Sequence, residues 1–240
     1  MKKIRLIFSD NEGCILPGKG IAFPLAELAK LSGFLKQNRQ TGFGICTGRP
    51  VPYIEAMVQT LDLLDSPVPC ICDGGATLYW PKEDRWELIS PTFNKNLILD
   101  VVSGLDYREE PGKIGCISLF PNESTTVDEL FSRIVRSPIQ ETFNVTKSVA
   151  AVDITVKGVN KSFGVKEVCK RLGVSLKEIL YIGDAENDIE LLQLAGYSAC
   201  PNNAKEDVKK IVQFVASSES TLGEVEILNH FANFFHPEVI

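Results

Sequence analysis

Two acidic residues lie two positions apart immediately after an apolar run near the start of the chain. Asp10 and Glu12 follow residues 4–8, four of which are apolar, and Gly13 comes next. Such a run predicts a short buried strand that ends at the polar residues. In open α/β sheets ligands bind beyond the carboxyl ends of the strands, and a glycine lets the backbone approach them closely. The alternative for Asp10 taken alone is an ordinary turn or helix-capping role.

Polar side chains also follow two later apolar runs, residues 41–46 and 179–182, and one lysine lies at the start of a predicted helix. Because parallel strands all end at one edge of their sheet, these side chains can converge with Asp10 and Glu12. The further candidates are Thr47, Gly48, Lys161, Asp184, Asn187 and Asp188.

The charges of these candidates indicate what chemistry they could perform. Several carboxylates packed together repel one another unless some are protonated or a cation lies between them. Mg²⁺ prefers one or two carboxylates together with water and phosphate oxygens. A lysine and a threonine hydroxyl suit the remaining phosphate oxygens. The set therefore predicts metal-assisted phosphoryl transfer with a carboxylate nucleophile.

Strand and helix patterns alternate regularly at both ends of the chain and less regularly between them. Three rounds occupy the first 75 residues, five prolines interrupt residues 81–156, and the alternation resumes near Gly158. This pattern predicts an α/β fold whose Rossmann-like, doubly wound parallel sheet is built from residues 1–81 and 157–240. Residues 82–156 are predicted to form a smaller α+β insertion. Individual elements expected there and beyond are strands at 114–120 and 148–156 and helices at 127–135 and 205–215.

The overall composition excludes several classes of protein. The net charge of −6 argues against a nucleic-acid-binding surface. No stretch approaches the roughly 18 apolar residues of a membrane span, and the apolar run at residues 4–8 is too short for a signal peptide. The two histidines fall in the last eleven residues, which disfavours a histidine-based zinc site or triad. We therefore expect a cytoplasmic protein that has no nucleic-acid or membrane partner.

Four segments, in order along the chain, resemble the haloacid-dehalogenase superfamily of phosphohydrolases. They are LIFSDNEGC, ICTGR, GVNKSFGV and GDAENDIELL, which are similar to that family's four motifs. The position of the insertion, between the second motif and the lysine, resembles the capped, Cof-type subgroup that acts on sugar phosphates. The segments from GVSLKEILYIGDAENDIELL to TLGEVEIL also resemble sugar-acid phosphatases that lack a cap, but an insertion is present here.

The resemblance implies a role for each candidate. Asp10 would attack phosphorus and Glu12 would act as the general acid and base. Mg²⁺ would be held by Asp10, the backbone carbonyl of Glu12 and Asp184. The phosphate would be contacted by Thr47, Gly48, Lys161 and Asn187, while Asp188, with Asn187, would orient ligands and water.

Two residues depart from the family's first motif, because Glu12 replaces an aspartate and Cys14 a threonine. The additional methylene of Glu12 displaces its carboxyl group by about 1.5 Å, which predicts slower turnover on generic substrates. We expect a Mg²⁺-dependent phosphatase of a small phosphorylated metabolite, with sugar or polyol phosphates favoured. A sugar phosphomutase and a non-catalytic phospholigand-binding protein are the alternatives, and the sequence does not assign an oligomeric state. Substrate-selecting residues in the insertion are suggested by charge alone at Arg85, Arg108 and Lys113.

Overall fold

The computed structural model describes residues 3–148 and 150–236. In chain order its strands are β1 (Leu6–Ser9), β2 (Gly42–Ile45), β3 (Cys70–Cys72), β4 (Thr77–Trp80), β5 (Arg85–Leu88), β6 (Tyr107–Glu109), β7 (Cys116–Pro121), β8 (Phe143–Lys147), β9 (Val152–Val156), β10 (Ile179–Ile182), β11 (Tyr197–Cys200) and β12 (Phe214–Val215). Its α-helices are α1 (Leu25–Gln37), α2 (Val51–Leu61), α3 (Asn96–Val101), α4 (Val127–Val135), α5 (Lys161–Leu172), α6 (Ile189–Leu194), α7 (Glu206–Lys209) and α8 (Ser220–Phe231).

The central sheet contains five parallel strands in the order β12-β11-β10-β1-β2. Every residue of β1, β2, β10 and β11 is buried, as expected for strands that are covered on both faces. Ser9 at the end of β1 pairs with Ile182 of β10 and with Ile45 of β2, so these three strands end at the same level of the sheet. This register places the residues that follow these strands side by side.

Helices cover both faces of the central sheet, which makes the sheet doubly wound. One hydrophobic cluster joins one face to α1, α2 and α8, and includes Leu31, Met57 and Leu228. A second cluster joins the other face to α5, α6 and α7. Each fully buried leucine, isoleucine or methionine contributes roughly 1.5–3 kcal/mol to the free energy of unfolding. The predicted α/β class and doubly wound core are confirmed.

The middle of the chain forms two antiparallel sheets. β3, β4 and β5 make a three-stranded sheet that is linked to the central one by a parallel bridge between Cys46 and Ile71. β6, β7, β9 and β8 make a separate four-stranded sheet, and α3 and α4 pack on it around a cluster that contains Phe93 and Leu130. The insertion therefore has the predicted α+β character. Its division from the core at residue 82 stays a prediction, since β5 pairs with β4 rather than with the four-stranded sheet.

Some predicted elements differ from the structure. The helix expected at 205–215 is wrong beyond Lys209, because Phe214–Val215 pairs with β11 as an edge strand. The open edge of β11 supplies hydrogen-bonding groups that override the local helical pattern. The strand expected at 148–156 begins at Val152, and Val149 lies outside the described residues. β4, β5, β6, β8 and α3 were not predicted, whereas α4 matches its prediction.

Two glycines permit close backbone approaches beside the predicted site. Gly13 has a φ of +83°, and a Cβ there would clash with the carboxylate of Asp184. Gly75 has a φ of +109°, and a Cβ there would clash with the backbone carbonyl of Asn160. Any L-residue with a side chain would be strained at both positions. These glycines therefore let the chain after β1 meet the chain after β10, and let the turn after β3 meet the start of α5.

Among the residues that the structure describes, no helix is both long enough and apolar enough to span a bilayer.

Candidate active site

The acidic residues predicted to converge lie together at the carboxyl edge of the central sheet. Asp10 directly follows β1, while Asp184 and Asp188 follow β10, the strand that pairs with β1. Lys161 is the first residue of α5. Its Nζ lies 2.6 Å from Oδ2 of Asp10 and 2.7 Å from Oδ1 of Asp188. Four of the eight residues predicted for the site thus form one cluster.

Lys161 occupies this position because α5 begins beside the edge of the sheet. Asn160 caps the helix, since its side-chain oxygen accepts the N–H of Phe163 at 2.9 Å. Lys161 is only 3% exposed, and a buried ammonium requires anionic partners. Burial lowers the pKa of Lys161, but Asp10 and Asp188 outweigh this effect and hold the pKa well above its usual range. The lysine therefore remains charged next to Asp10.

Asp188 is held by four donors and so fixes Lys161 in turn. Its Oδ1 accepts the hydroxyl of Tyr181 at 2.5 Å in addition to the Lys161 ammonium. Its Oδ2 accepts the backbone N–H groups of Asp184 at 3.1 Å and Ala185 at 3.2 Å. The predicted role of Asp188, to orient ligands and water, stays a prediction. Sequence reasoning missed Tyr181, whose only signal is a hydroxyl within an otherwise apolar strand.

Three carboxylates form a group that could hold a metal ion. One oxygen from each of Asp10, Asp184 and Asp188 lies within 4.8 Å of the others. Burial raises the pKa of Asp10, Lys161 opposes the increase, and Asp188 and Asp184 add to it. Burial and then Asp188 raise the pKa of Asp184 to about 6. With all groups ionised, three carboxylates and the Lys161 ammonium carry a formal charge of −2. A divalent cation that prefers oxygen ligands fits both the charge and the donors.

The turn after β2 forms the second side of the site. The N–H of Thr47 bonds to the carbonyl of Ile71 at 2.8 Å, and Thr47 Oγ1 accepts the N–H of Arg49 at 3.1 Å. The same hydroxyl lies 3.4 Å from Oε2 of Glu12, to which it donates. Glu12 in turn lies near enough to Asp10 to contribute to its raised pKa. The structure thus joins Thr47 to the turn that carries Asp10 and Glu12.

Gly48 and Asn187 lie at the margins of this arrangement. The carbonyl of Gly48 accepts a hydrogen bond from the ammonium of Lys113, which belongs to the insertion. Asn187 is exposed on the turn Glu186–Asp188. The predicted phosphate contacts of both residues stay predictions.

Arg49 is a second residue that sequence reasoning missed. Its Nε donates to Oε1 of Glu12, its Nη1 donates to Oε1 of Glu110 at 3.1 Å, and its guanidinium lies 4.5 Å from the centre of the Tyr53 ring. Arg49 was present in the ICTGR segment, but nothing in the local pattern indicates a partner in the insertion. The structure therefore connects Glu12 to the insertion through one arginine.

Among the three basic residues suggested by charge alone, Lys113 is the one that reaches the site. Its side chain is 5% exposed and contacts both Gly48 and Glu110. Arg85 pairs with acidic neighbours on the β4–β5 hairpin, and Arg108 covers the ring of Phe120.

The family model for haloacid dehalogenase-like hydrolases matches residues 99–227, more than half of the chain. The chain belongs to the haloacid dehalogenase-like hydrolases. The resemblance drawn from four short motifs is thereby confirmed. Over 89 residues this hydrolase is 40% identical to a phosphoglycolate phosphatase of Aeropyrum pernix, and the match covers 37% of each chain. The chain therefore spans little more than a third of the length of that relative.

Solved structures share the whole fold of this hydrolase. A protein of Thermoplasma acidophilum superposes with a TM-score of 0.79 at 19% identity, covering 96% of this chain and 99% of the other. The sucrose-phosphatase of Synechocystis, solved with sucrose and phosphate, gives a TM-score of 0.71 at 18% identity, covering 97% and 99%. At these identities the likeness establishes the fold, including the sheet core and its insertion.

A buried carboxyl group supports the turn of this hydrolase that carries Asp10. Glu224 of α8 is fully buried, and its Oε2 accepts the hydroxyl of Ser9 at 2.9 Å. Its Oε1 has no hydrogen-bond partner among the described residues. Burial raises the pKa of Glu224 to about 8, and the Ser9 hydroxyl only partly opposes that increase. Glu224 therefore carries a proton at neutral pH in the folded protein.

We expect Glu224 to make stability fall as pH rises. Its pKa is raised on folding, so the folded chain retains a proton that the unfolded chain releases between about pH 4.5 and pH 8. The protonated Glu224 stabilises the fold fully below that pH window, and this stabilisation is lost as the pH rises through it. The free energy of unfolding should fall by on the order of 3–5 kcal/mol across the window. Urea unfolding of wild type and Glu224→Gln at pH 5, 7 and 9 measures this difference.

Glu226→Gln is the matched control, because Glu226 lies on the same helix, accepts hydrogen bonds from Ser217 and Ser218, and has a lowered pKa. That variant should keep the wild-type pH dependence between pH 5 and 9. If the free energy of unfolding changed with pH to the same extent in wild type and in Glu224→Gln, Glu224 would not be protonated at neutral pH.

Proposed function

We propose that this hydrolase is a Mg²⁺-dependent phosphatase that cleaves a small phosphomonoester through an aspartyl-phosphate on Asp10. The observation that carries the proposal is the cluster in which Lys161 bridges Asp10 and Asp188 beside Asp184. In this proposal the cluster would supply a nucleophile, a positive charge and a set of metal-binding oxygens at one edge of the sheet. The family and the phosphatase names of its relatives support the same reaction class.

Mg²⁺ would be held by the carboxylates of Asp10 and Asp184 and by the backbone carbonyl of Glu12. When bound, it would offset the negative charge of the phosphate oxygens and of the carboxylates around them. Asp188 suits an orienting role better than a ligand role, because both of its oxygens already accept hydrogen bonds. Such a cation would offset the formal negative charge of the cluster and, together with Lys161, would favour the ionised form of Asp10 that attacks.

In the first half-reaction a carboxylate oxygen of Asp10 attacks phosphorus. A P–O bond to Asp10 forms as the P–O bond to the leaving alcohol breaks, and a proton from Glu12 neutralises the departing oxygen. Lys161 stabilises the charge that develops on the phosphoryl oxygens. Thr47, through a hydroxyl that can turn from Glu12 to the phosphate, and the backbone of Gly48 supply further contacts, and Asn187 is the candidate contact on the exposed side.

In the second half-reaction water attacks the aspartyl-phosphate. Glu12, now a carboxylate, accepts a proton from the water as its oxygen bonds to phosphorus. The P–O bond to Asp10 breaks, so inorganic phosphate leaves and Asp10 is regenerated as a carboxylate. The position of Glu12 therefore matters in both steps.

The insertion is proposed to act as a cap that excludes water and contacts the leaving group. A sugar or polyol phosphate is the favoured substrate class. A phosphorylated carboxylic acid is a second candidate, which is favoured by the cations that surround Glu110 beside the site. These are Lys19, Arg49 and Lys113, which lie within 3.1–3.4 Å of its carboxylate. The name of the Aeropyrum relative points in the same direction.

The proposal is tested by hydrolysis of p-nitrophenyl phosphate with and without Mg²⁺, followed by a panel of sugar, polyol and carboxylic-acid phosphates. We expect Mg²⁺-dependent release of inorganic phosphate and a preference within one class. No hydrolysis of any compound, with Mg²⁺ binding intact, would favour a non-catalytic binding protein. Turnover that requires a sugar bisphosphate would favour a mutase.

A further inference from the structure

Both carboxylate oxygens of Glu12 are engaged by the turn after β2. Oε1 accepts a hydrogen bond from Nε of Arg49, and Oε2 lies 3.4 Å from the hydroxyl of Thr47. These two donors fix the carboxylate as a hydrogen-bond acceptor, which is the orientation that a general base needs.

Arg49 is itself held rigidly. Its side chain is 13% exposed, it lies over the ring of Tyr53, and its Nη1 bonds to Glu110 at 3.1 Å. The planar guanidinium bonds to the two carboxylates through different nitrogens in a fixed plane, which sets their relative orientation more strictly than the freely rotating ammonium of a lysine would. Arg49 thus connects Glu12 in the core to Glu110 in the insertion.

The loop that carries Glu110 is attached to the core at other points besides Arg49, and the ammonium of Lys19 also pairs with Glu110 at 3.1 Å. The ammonium of Lys113 bonds to the carbonyl of Gly48. The backbone N–H groups of Ile114 and Gly115 each donate to Oδ2 of Asp73 at 3.0 Å, and Asp73 is fully buried at the end of β3. Residues 110–115, here called the docking loop, therefore lie in a defined position against the turn after β2.

We propose that Arg49 is a positioning residue that holds Glu12 where it accepts a proton from the attacking water, and that Glu110 of the docking loop holds Arg49. The proposal rests on the proposed phosphatase activity and adds to it a specific coupling between the insertion and the base. Its consequence is that the second half-reaction is fastest while the docking loop is seated. Formation of the aspartyl-phosphate from a substrate with a good leaving group does not need Glu12, so that step does not depend on Arg49.

This division between the two steps gives Arg49→Met a kinetic signature. With p-nitrophenyl phosphate and saturating Mg²⁺, kcat should fall about 10²-fold, since a displacement of about 1 Å has an effect of that order. KM should fall in parallel, so that kcat/KM, which reports aspartyl-phosphate formation, changes less than about threefold. Stopped-flow measurement should show a burst of one p-nitrophenolate per chain before the slow steady state.

Four further variants test whether Arg49 acts by positioning Glu12. Glu110→Gln should lower kcat by about tenfold with the same burst, whereas Glu109→Gln, which removes a neighbouring carboxylate paired with Lys95, should leave kcat unchanged. Glu12→Gln should reproduce the Arg49→Met signature. The double variant of Arg49 and Glu12 should be no slower than Glu12→Gln alone, because both substitutions disable one group.

Several results would overturn the proposal. A fall in kcat/KM equal to the fall in kcat for Arg49→Met would indicate a structural or phosphate-binding role, and additive effects in the double variant would show that Arg49 acts independently of Glu12. If the wild type hydrolyses no phosphomonoester, the proposed function fails, and a crystal structure of Arg49→Met then decides the positioning. A Glu12 carboxylate displaced from Thr47 would support it, and an unmoved carboxylate would refute it.

Discussion

Asp10→Asn should abolish turnover while leaving the protein folded. The amide has nearly the volume of the carboxylate but cannot supply the attacking negative charge, so kcat for p-nitrophenyl phosphate should fall by at least about 10³-fold. Asp10 is buried and Lys161 retains Asp188 as a partner in the variant, so the far-ultraviolet circular dichroism spectrum should not change. Initial rates in the presence of Mg²⁺ provide the measurement.

Asp65→Asn is a suitable control, because the side chain of Asp65 is 88% exposed and its carboxylate faces the guanidinium of Arg39 at 3.9 Å. It should have wild-type kcat. Retention of a tenth of the wild-type rate by Asp10→Asn would exclude covalent catalysis through Asp10. A helix-capping role for Asp10 would instead lower the free energy of unfolding by about 1 kcal/mol without removing activity.

Asp184→Asn should weaken Mg²⁺ binding and at the same time stabilise the metal-free protein. Loss of one carboxylate lowers the formal negative charge of the cluster, so the Mg²⁺ dissociation constant measured by calorimetry should rise by about 10²-fold or more. The pKa of Asp184 is raised to about 6, chiefly by burial, so ionising it costs free energy of folding above that pH. At pH 8 without metal, Asp184→Asn should therefore unfold with a free energy about 1–3 kcal/mol greater than wild type.

The opposite directions of these two effects distinguish a metal ligand from a structural residue. Glu186→Gln is the matched control, since Glu186 lies in the same turn but is exposed and paired with Lys205. It should change neither quantity substantially. If Asp184→Asn were more stable than wild type but bound Mg²⁺ with unchanged affinity, the metal would lie elsewhere. If Asp184→Asn were less stable than wild type without metal, the ionised Asp184 would not be destabilised by its surroundings.

Local patterns in the chain were enough to predict the core fold and the acidic part of the site. Short apolar runs that end in polar residues encode parallel strands, and the carboxyl ends of parallel strands share one edge. Asp10, Asp184 and Lys161 could therefore be predicted to meet, although they are distant along the chain. Gly13 and the helix that begins at Lys161 are likewise local signals, because backbone conformation depends on a residue and its near neighbours.

Long-range packing, by contrast, selects which side chains pair across these elements. Nothing near Arg49 in the sequence points to Glu110, nothing near Ser9 points to Glu224, and the pairing of Phe214–Val215 with β11 overrides a local helical pattern. Local periodicity specifies which face of an element is buried, but the partner of a buried polar group is chosen by the packing of segments far apart in the chain. Since Arg49 contacts Glu12 and Tyr53 in the core but Glu110 in the insertion, its bond to Glu110 arises only when the insertion docks against the turn after β2.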